Sequence, residues 1–371
     1  MKALLIKLMI LGLNVIYLFF KPLKVKNKIV MISRQSNEVN LDFKLLGAEL
    51  EKDFQVVYLC KTLDGGVDST LFTKILYGLH MFVQMYHLAT SKVCVLDSYS
   101  PVVSLLKHKS YLKVVQIWHS VGSLKQFGWQ VVHRGEGTSP DVAAAMKMHN
   151  NYDVVYCAGN AYKSQLAAGF KVDESKLRIF TLPRIDMLFD ESYLSGVREK
   201  IFSKYPQLEG KRNVIYAPTF RKDESTFNEH LKSLVDSFDF EKYNLVVKLH
   251  PLSQLTVSDS RVIFDKDFST FEMLSCADKL VSDYSCVIYE AGVKGIPLYF
   301  YNFDMDDYIN RRGLTIDYNS LPGFKSSDAQ ILCESFEKEY DYDYHKSYMS
   351  AYVENTDACA YKMAEDIKTL V

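Results

Sequence analysis

The feature that most constrains the fold of this chain is a regular alternation of short apolar runs with longer amphipathic stretches. The runs are rich in β-branched and aromatic residues, and the first series occupies residues 28–33, 55–60, 92–97, 113–118, 153–157 and 177–181. Amphipathic patterns of helical period lie between them, for example at 42–52 and 71–89. Strands that are apolar throughout and alternate with helices are typical of a parallel sheet with helices on both faces.

A second series of the same kind follows, after a polar helical stretch at 192–205 that ends before Pro206. Its apolar runs occupy residues 213–217, 244–249, 261–265, 279–282 and 297–301. Two such arrays in 371 residues predict an α/β, GT-B-like architecture, with two Rossmann-like domains facing across a cleft. The predicted domains are residues 28–190 and 191–345, and residues 346–371 form a C-terminal helix that can pack back on the first domain.

The segment 1–27 differs from the rest and is predicted to associate with a membrane. Residues 8–20 are almost entirely apolar, and residues 1–28 contain six lysines and no acidic residue. The run is shorter than the roughly 20 residues that span a bilayer, and no small-x-small cleavage site follows it. Three structures are open: an interfacial helix at the membrane surface, a single span or uncleaved anchor, and a first helix buried against the protein. Lysines on both sides favour the membrane surface.

Composition excludes several classes of protein. Apolar residues make up 48% of the chain and charged residues 24%, which is typical of a globular protein. The net charge of −1 argues against a protein that binds nucleic acid through bulk positive charge. The seven cysteines are scattered and lack Cys-x-x-Cys spacing, so free thiols in a reducing compartment are predicted, without a zinc site or disulfide framework.

Polar residues that directly follow strands are the candidates for a site, because ligands of open parallel sheets bind at the carboxyl ends of strands. His119 follows the run 113–118, and glycine and serine after it permit a tight turn. A histidine in this position can act as a general base. Lys125 adds a positive charge for an anionic ligand. The alternative is an ordinary hydrogen-bonded loop histidine.

The second domain offers two further strand ends. Lys248 and His250 fall on one face at the end of the run 244–249, where two donor side chains suit a diphosphate. Thr219 and Arg221 follow the run 213–217, and an arginine offers a planar fork for phosphate. The alternatives are a strand-end pair with no ligand and a surface arginine.

A third strand end in this domain leads directly into a helix. Ser282 or Asp283 can cap that helix, whose N–H groups, together with the hydroxyl of Ser285, can hold a phosphate. Glu290, about two turns into the helix, can accept hydrogen bonds from a ribose. The alternative is an ordinary capping sequence.

Two weaker clusters complete the candidates. Arg184 and Asp186 end the first domain, either as an acceptor-side site or as an Arg–Asp hinge pair. Three aspartates at 304, 306 and 307 can attract a divalent ion, but solvated loop acids are the simpler interpretation, because the spacing lacks a calcium-loop pattern. The sequence requires no cofactor and predicts no metal ligand, and dependence on a divalent metal is left open.

The order of these motifs resembles one family. Six motifs within residues 114–314 are similar to those of the CDP-glycerol glycerophosphotransferases of bacterial teichoic acid synthesis. They are W-H-S-V-G-S-L-K, L-P-R-I-D, Y-A-P-T-F-R, K-L-H-P, S-D-Y-S and P-L-Y-F-Y. The resemblance implies CDP-glycerol or CDP-ribitol as donor, and an undecaprenyl-diphosphate-linked disaccharide or polyol-phosphate chain as acceptor. It implies a phosphodiester product with release of CMP, at the cytoplasmic face of the cell membrane as a peripheral, monotopic protein. The chain's length is closer to the priming enzymes.

The resemblance also implies roles for the candidates. His119 matches the histidine that deprotonates the acceptor hydroxyl, and His250 matches one beside the donor diphosphate. Glu290 would bind the ribose or polyol, and the diphosphate would contact Arg221, Lys248, Ser282, Asp283 and Ser285. Ser120, Phe220 and Cys286 depart from the family pattern, so the resemblance implies the reaction class rather than the fine donor specificity. Two other functions are open: a GT-B glycosyltransferase for capsule or another glycan, and a non-catalytic, membrane-associated glycan-binding protein.

Overall fold

The computed structural model describes residues 2–63, 70–135, 137–221, 223–250, 253–255 and 258–371. The chain forms two compact units. Unit 1 comprises residues 1–120, 126–186 and 354–371, and unit 2 comprises residues 121–125 and 187–353. The domain limits expected from the sequence, 28–190 and 191–345, remain predictions.

Unit 1 is built on a six-stranded sheet in which all neighbouring strands are parallel. The strands are β1 (Lys28–Ser33), β2 (Gln55–Cys60), β3 (Val93–Leu96), β4 (Lys113–Gln116), β5 (Val154–Cys157) and β6 (Leu177–Ile179). Their order is β2-β1-β3-β4-β5-β6. The helices are α1 (Lys2–Phe20), α2 (Leu41–Leu50), α3 (Leu71–Thr90), α4 (Pro101–Leu105), α5 (Pro140–Ala145) and α6 (Lys163–Phe170). β1 and β3 are buried along their whole length, which is why their sequences are apolar without alternation.

Unit 2 repeats this plan with a second parallel sheet, in the order β12-β11-β10-β7-β8-β9. Its strands are β7 (Arg212–Tyr216), β8 (Tyr243–Val247), β9 (Val262–Phe264), β10 (Lys279–Ser282), β11 (Leu298–Tyr301) and β12 (Phe324–Ser326). Its helices are α7 (Glu191–Lys204), α8 (Glu224–Asp236), α9 (Thr270–Met273), α10 (Val287–Val293), α11 (Met305–Arg311), α12 (Ala329–Glu334) and α13 (Tyr342–Tyr352). The predicted α/β architecture with two parallel sheets is confirmed.

The C-terminal end of the chain returns to unit 1 as α14 (Cys359–Lys368), which packs against α2. Asp366 on this helix accepts hydrogen bonds from the Tyr156 hydroxyl at 2.6 Å and from Nη1 of Arg178 at 2.8 Å. All seven cysteines are free thiols in this structure.

The predicted N-terminal apolar segment is α1, which packs on unit 1 by one side only. The Asn14 side chain donates to the carbonyl of Leu105 and accepts from the backbone N–H of Lys107, and Tyr17 is buried. The other side exposes Leu8, Leu11, Leu18 and Phe19. α3 contacts α1 and exposes a similar row: Leu71, Phe72, Ile75 and Leu79. Within the described part of the chain, no helix is long and apolar enough to cross a membrane.

Candidate active site

His119 lies beyond the carboxyl end of β4, at a point where the backbone is strained. β4 ends at Gln116, so the strand predicted over 113–118 is two residues too long. Trp118 has φ of 63°, in the left-handed region that disfavours a bulky side chain. Its N–H donates to Oε1 of Gln116 at 2.9 Å, which turns the chain out of the sheet. The turn leaves His119 at the carboxyl edge of the unit 1 sheet, as predicted.

The surroundings of His119 select one form of its imidazole. Nδ1 lies 3.0 Å from the carbonyl oxygen of Asp97. A carbonyl can only accept, so this hydrogen bond forms when Nδ1 carries the proton. The neutral ring then presents the lone pair of Nε2, which is the form a general base requires. The 3.3 Å contact from the Gln35 amide to Nδ1 cannot be a hydrogen bond in this form.

A partly buried ion pair supports the backbone of His119. Nη2 of Arg184 donates to the His119 carbonyl at 3.1 Å, and Nε donates to Oδ2 of Asp42 at 2.9 Å. Asp186 accepts from the backbone N–H groups of Cys359 and Ala360, and the Arg184–Asp186 hinge pair considered from the sequence stays a prediction. Arg184 therefore positions the segment that carries His119, and Asp186 caps α14.

Two residues of this site, Asp42 and Asp97, were missed from the sequence. Asp97 directly follows β3, so the strand-end rule that singled out His119 applied to it as well. Asp42 stands in the first turn of α2, where an acidic residue is already explained by the helix dipole. Only the packed fold shows that Asp42 meets a residue 142 positions further along the chain.

The segment that follows His119 belongs to unit 2, although it continues the same sequence motif. Lys125 forms an antiparallel bridge with Leu314. Thr315 donates its N–H to the Leu124 carbonyl at 2.8 Å and its hydroxyl to the Ser123 carbonyl at 2.7 Å. Gly122 lies so close to Tyr289 of α10 that a Cβ at this position would be 2.2 Å from the ring. The motif therefore needs glycine for close packing on α10.

Gly122→Ala is expected to destabilise unit 2 by about 1–3 kcal/mol and to lower activity, because the buried Tyr289 ring must move to admit the methyl group. Urea denaturation and turnover of the same preparations measure both effects. Gly196→Ala is the matched control, since a Cβ at that position on α7 has open space around it. Equal effects of the two substitutions would contradict the packing argument.

Arg221 is buried in unit 2 between two carboxylates. Nη1 contacts Asp283 at 2.7 Å, Nε contacts Asp304 at 2.7 Å, and Nη1 also donates to the Thr219 carbonyl at 2.7 Å. Burial opposes ionisation of Asp304, but the hydrogen bonds and charge of Arg221 prevail and lower its pKa. The guanidinium thus cross-links the loops after β7, β10 and β11. Its predicted contact with a diphosphate stays a prediction.

The ammonium group of Lys248 also contacts other residues of unit 2. Its ammonium group contacts Oδ2 of Asp265 at 2.5 Å and the Asp265 carbonyl at 3.1 Å, and it donates to the Phe268 carbonyl. These acceptors match the three N–H donors of an ammonium group. Lys248 therefore holds the loop after β9 against the end of β8, and its contact with a donor remains a prediction.

His250 is the exposed residue of this strand end. Its ring lies 5.3 Å from the Phe220 ring, measured between centroids. Burial and the nearby positive charge of Lys125 lower the pKa of His250, so the ring is neutral at pH 7. Unit 2 thus brings Lys125, Phe220 and His250 close together. Pro251, the last residue of the K-L-H-P motif, lies outside the described residues.

The strand-to-helix turn at β10 differs from the predicted capping pattern. Neither Ser282 nor Asp283 caps α10, whose N-cap is Cys286. The Ser282 hydroxyl donates to the Ala217 carbonyl at 2.7 Å, and Asp283 accepts from the N–H of Thr219 at 2.9 Å. Both side chains therefore tie β10 to the loop after β7.

The two remaining candidates of this turn have different surroundings. Ser285 is half-buried just before α10. Glu290 is buried in the first turn of α10, rather than two turns into it, because the helix begins at Val287. Donor contacts of both residues remain predictions.

The acidic residues at 304, 306 and 307 do not converge. Asp304 is paired with Arg221, and Asp307 is paired with Arg311 at 2.7 Å. Among the residues that the structure describes, no group of three or more histidine, cysteine, aspartate or glutamate side chains could hold a metal ion.

Comparison with known proteins assigns the family. A family model described as CDP-Glycerol:Poly(glycerophosphate) glycerophosphotransferase matches residues 15–364. The chain belongs to this family. The enzyme class expected from the sequence, a polyol-phosphate transferase of teichoic acid synthesis, is confirmed by this match and by the relatives of the chain.

The teichoic acid ribitol-phosphate primase of Bacillus spizizenii is 28% identical over 329 residues, which are 85% of this chain and 84% of the relative. The teichoic acid poly(ribitol-phosphate) polymerase of that organism is 31% identical over 94% of this chain and 57% of its own length. The teichoic acid glycerol-phosphate primase of Bacillus subtilis is 28% identical over 71% of this chain and 70% of its own length. A structure of the wall teichoic acid polymerase TagF matches the fold, with a TM-score of 0.75 and 18% identity, over 99% of this chain and 97% of that chain.

Proposed function

We propose that this family member transfers a polyol phosphate from CDP-glycerol or CDP-ribitol to a hydroxyl group of a lipid-linked acceptor. The acceptor is an undecaprenyl-diphosphate-linked disaccharide or a growing polyol-phosphate chain. The acceptor oxygen attacks the β-phosphorus of the donor, and a phosphodiester bond forms. The bond from that phosphorus to the bridging oxygen breaks, and the oxygen leaves with CMP. Such a transfer needs positioning and charge neutralisation more than covalent help from the protein.

The observation that carries this proposal is the hydrogen bond from Nδ1 of His119 to the Asp97 carbonyl. It leaves Nε2 as the basic nitrogen of a ring at the carboxyl edge of the unit 1 sheet. We assign His119 the removal of the acceptor's hydroxyl proton. Arg184 positions the backbone of His119, because it donates to the His119 carbonyl while paired with Asp42.

The donor is assigned to unit 2. Lys125, His250 and Ser285 are the candidates for contact with the diphosphate, since their side chains are not buried. His250 is neutral at pH 7, so it can donate a hydrogen bond to a phosphate oxygen without adding charge. Arg221 and Lys248 fix the loops that present these groups.

The protein is further proposed to act as a peripheral protein at the cytoplasmic face of the membrane, where a lipid-linked acceptor resides. The exposed apolar rows on α1 and α3 support this, because Phe19 is 80% exposed and Leu71 is 76% exposed. Lysines flank the α1 row, and such a combination is typical of a helix in the membrane interface.

A thermal-shift screen with CDP-glycerol, CDP-ribitol, and UDP and GDP conjugates tests the donor class. A ligand at 100 times its Kd stabilises the native state by about 2.7 kcal/mol, which raises the melting temperature by several degrees. We expect this shift with CDP-polyols alone. Incubation with the effective donor and a labelled acceptor lipid should then yield CMP and a phosphodiester. A shift with UDP-sugars, or CMP without a phosphodiester product, would contradict the proposal.

A further inference from the structure

A lysine-lined cavity of about 870 Å³ lies in unit 1, at the edge of the sheet opposite to His119. Lys92 precedes β3 and Lys113 is the first residue of β4, so both stand at the amino ends of parallel strands. His119 follows the carboxyl end of β4. The cavity is completed by Lys21 and Lys24 after α1, and by Lys109 from the loop before β4. It is therefore separate from the candidate active site.

Five lysines line this cavity, against one negative group, the main-chain carboxylate of Val371. No aspartate or glutamate side chain lines it. Among the described residues, none of its five ammonium groups forms an ion pair with a carboxylate side chain. The Lys109 ammonium donates to the Leu23 carbonyl at 2.6 Å, and its pKa is lowered by burial and by the charge of Lys21. Like charges held together in this way favour an anionic ligand.

The cavity also has an apolar side, which continues the exposed surface of α1. Leu23, Val25 and Tyr111 line it, and Tyr111 is 73% exposed. In the last turn of α1, just before Lys21, Leu18 is 56% exposed and Phe19 is 80% exposed. A ligand that combines a phosphate with a hydrocarbon chain would match both sides of the cavity.

We propose that this cavity binds the phosphate-bearing head group of an anionic phospholipid. The ammonium groups donate charge-assisted hydrogen bonds to the phosphate oxygens, and the acyl chains extend along the exposed side of α1. The site rests on the peripheral membrane attachment proposed above, but it is independent of the transfer reaction. The lipid is a ligand that selects anionic membrane, and no bond of it is made or broken.

Short-chain phosphatidylglycerol, used as a monomer below its micelle concentration, tests the site without the surface potential of a bilayer. The cavity variant is Lys24→Gln/Lys113→Gln. The matched control is Lys7→Gln/Lys107→Gln, which removes the same charge beside α1 but outside the cavity. We expect phosphatidylglycerol to raise the melting temperature of the native protein and the control. The cavity variant should lose that shift. Short-chain phosphatidylcholine should raise the melting temperature of none of them.

Three results would overturn the proposal. Equal loss of the shift in the control would show diffuse attraction to surface lysines. An equal shift with inorganic phosphate at the same concentration would show a phosphate site without lipid selectivity. No shift in the native protein would show that there is no head-group site. A rise in melting temperature with CDP-polyols shows that the cavity variant is folded. If the native protein responds to phosphatidylglycerol but not to CDP-polyols, the donor assignment fails and the head-group site stands.

Discussion

Replacing His119 by alanine is expected to lower the rate of polyol-phosphate transfer by about 10²–10⁴-fold, which is the usual contribution of a positioned general base. The hydrogen bond of Nδ1 to the Asp97 carbonyl fixes Nε2 of His119 as the basic nitrogen. Among residues 117–120, which follow β4, His119 is the one whose side chain carries a basic nitrogen. Release of CMP in the presence of donor and acceptor lipid measures the rate. His133→Ala is the matched control, because His133 is exposed and belongs to the same unit.

Donor binding separates loss of chemistry from loss of structure in this experiment. His119→Ala should keep the thermal response to a CDP-polyol, because the donor is assigned to unit 2, and the loss should lie in kcat. An asparagine at position 119 can still donate to the Asp97 carbonyl, but it has no basic nitrogen, so it should be as inactive as alanine. Near-native turnover of either variant would remove His119 from the mechanism.

The order of strands along the chain was predictable, because a strand buried on both faces must be apolar throughout. β1 and β10 are buried along their whole length and have the predicted bounds. β2 also has the predicted bounds, although it lies at the edge of the sheet and is only partly buried. β12 was missed, since its three residues are half-buried at the edge of a sheet and carry no apolar run. Residues 346–371, expected to form one C-terminal helix, contain the end of α13 and the whole of α14, with a short loop between them.

The roles of charged residues were less predictable than their positions. The strand-end rule found Arg221 and Lys248, but each is paired with a carboxylate far away in the sequence. Asp304 is 83 positions from Arg221, and Asp265 is 17 positions from Lys248. A sequence pattern cannot distinguish a basic side chain that is available to bind a ligand from one that is paired with a carboxylate of the protein itself. Packing decides, because a buried cation needs a partner.

Arg221→Met is expected to destabilise unit 2 by about 3–5 kcal/mol, which is the cost of leaving buried carboxylates without their partner. Asp283 is fully buried and Asp304 is 14% exposed, so water cannot replace the guanidinium. Urea denaturation of the native protein and the variant measures the loss. Arg198→Met is the matched control, because its pair with Glu191 is exposed and should contribute about 0–1 kcal/mol.

The pH dependence of stability gives a second, independent test of the ion pairs that Arg221 forms with Asp283 and Asp304. Because Arg221 lowers the pKa of Asp304 in the folded protein, the stabilisation is present above the carboxyl's unfolded pKa, near 4. It is lost as the pH falls through the lowered folded value. The stability difference between native protein and Arg221→Met should therefore be largest at neutral pH and shrink in acid, since protonation removes the charge that the variant leaves unpaired. Addition of Asp304→Asn to Arg221→Met should recover part of the loss at pH 7. A difference that is independent of pH, or below about 1 kcal/mol, would mean that the guanidinium does not hold these loops together through its charge.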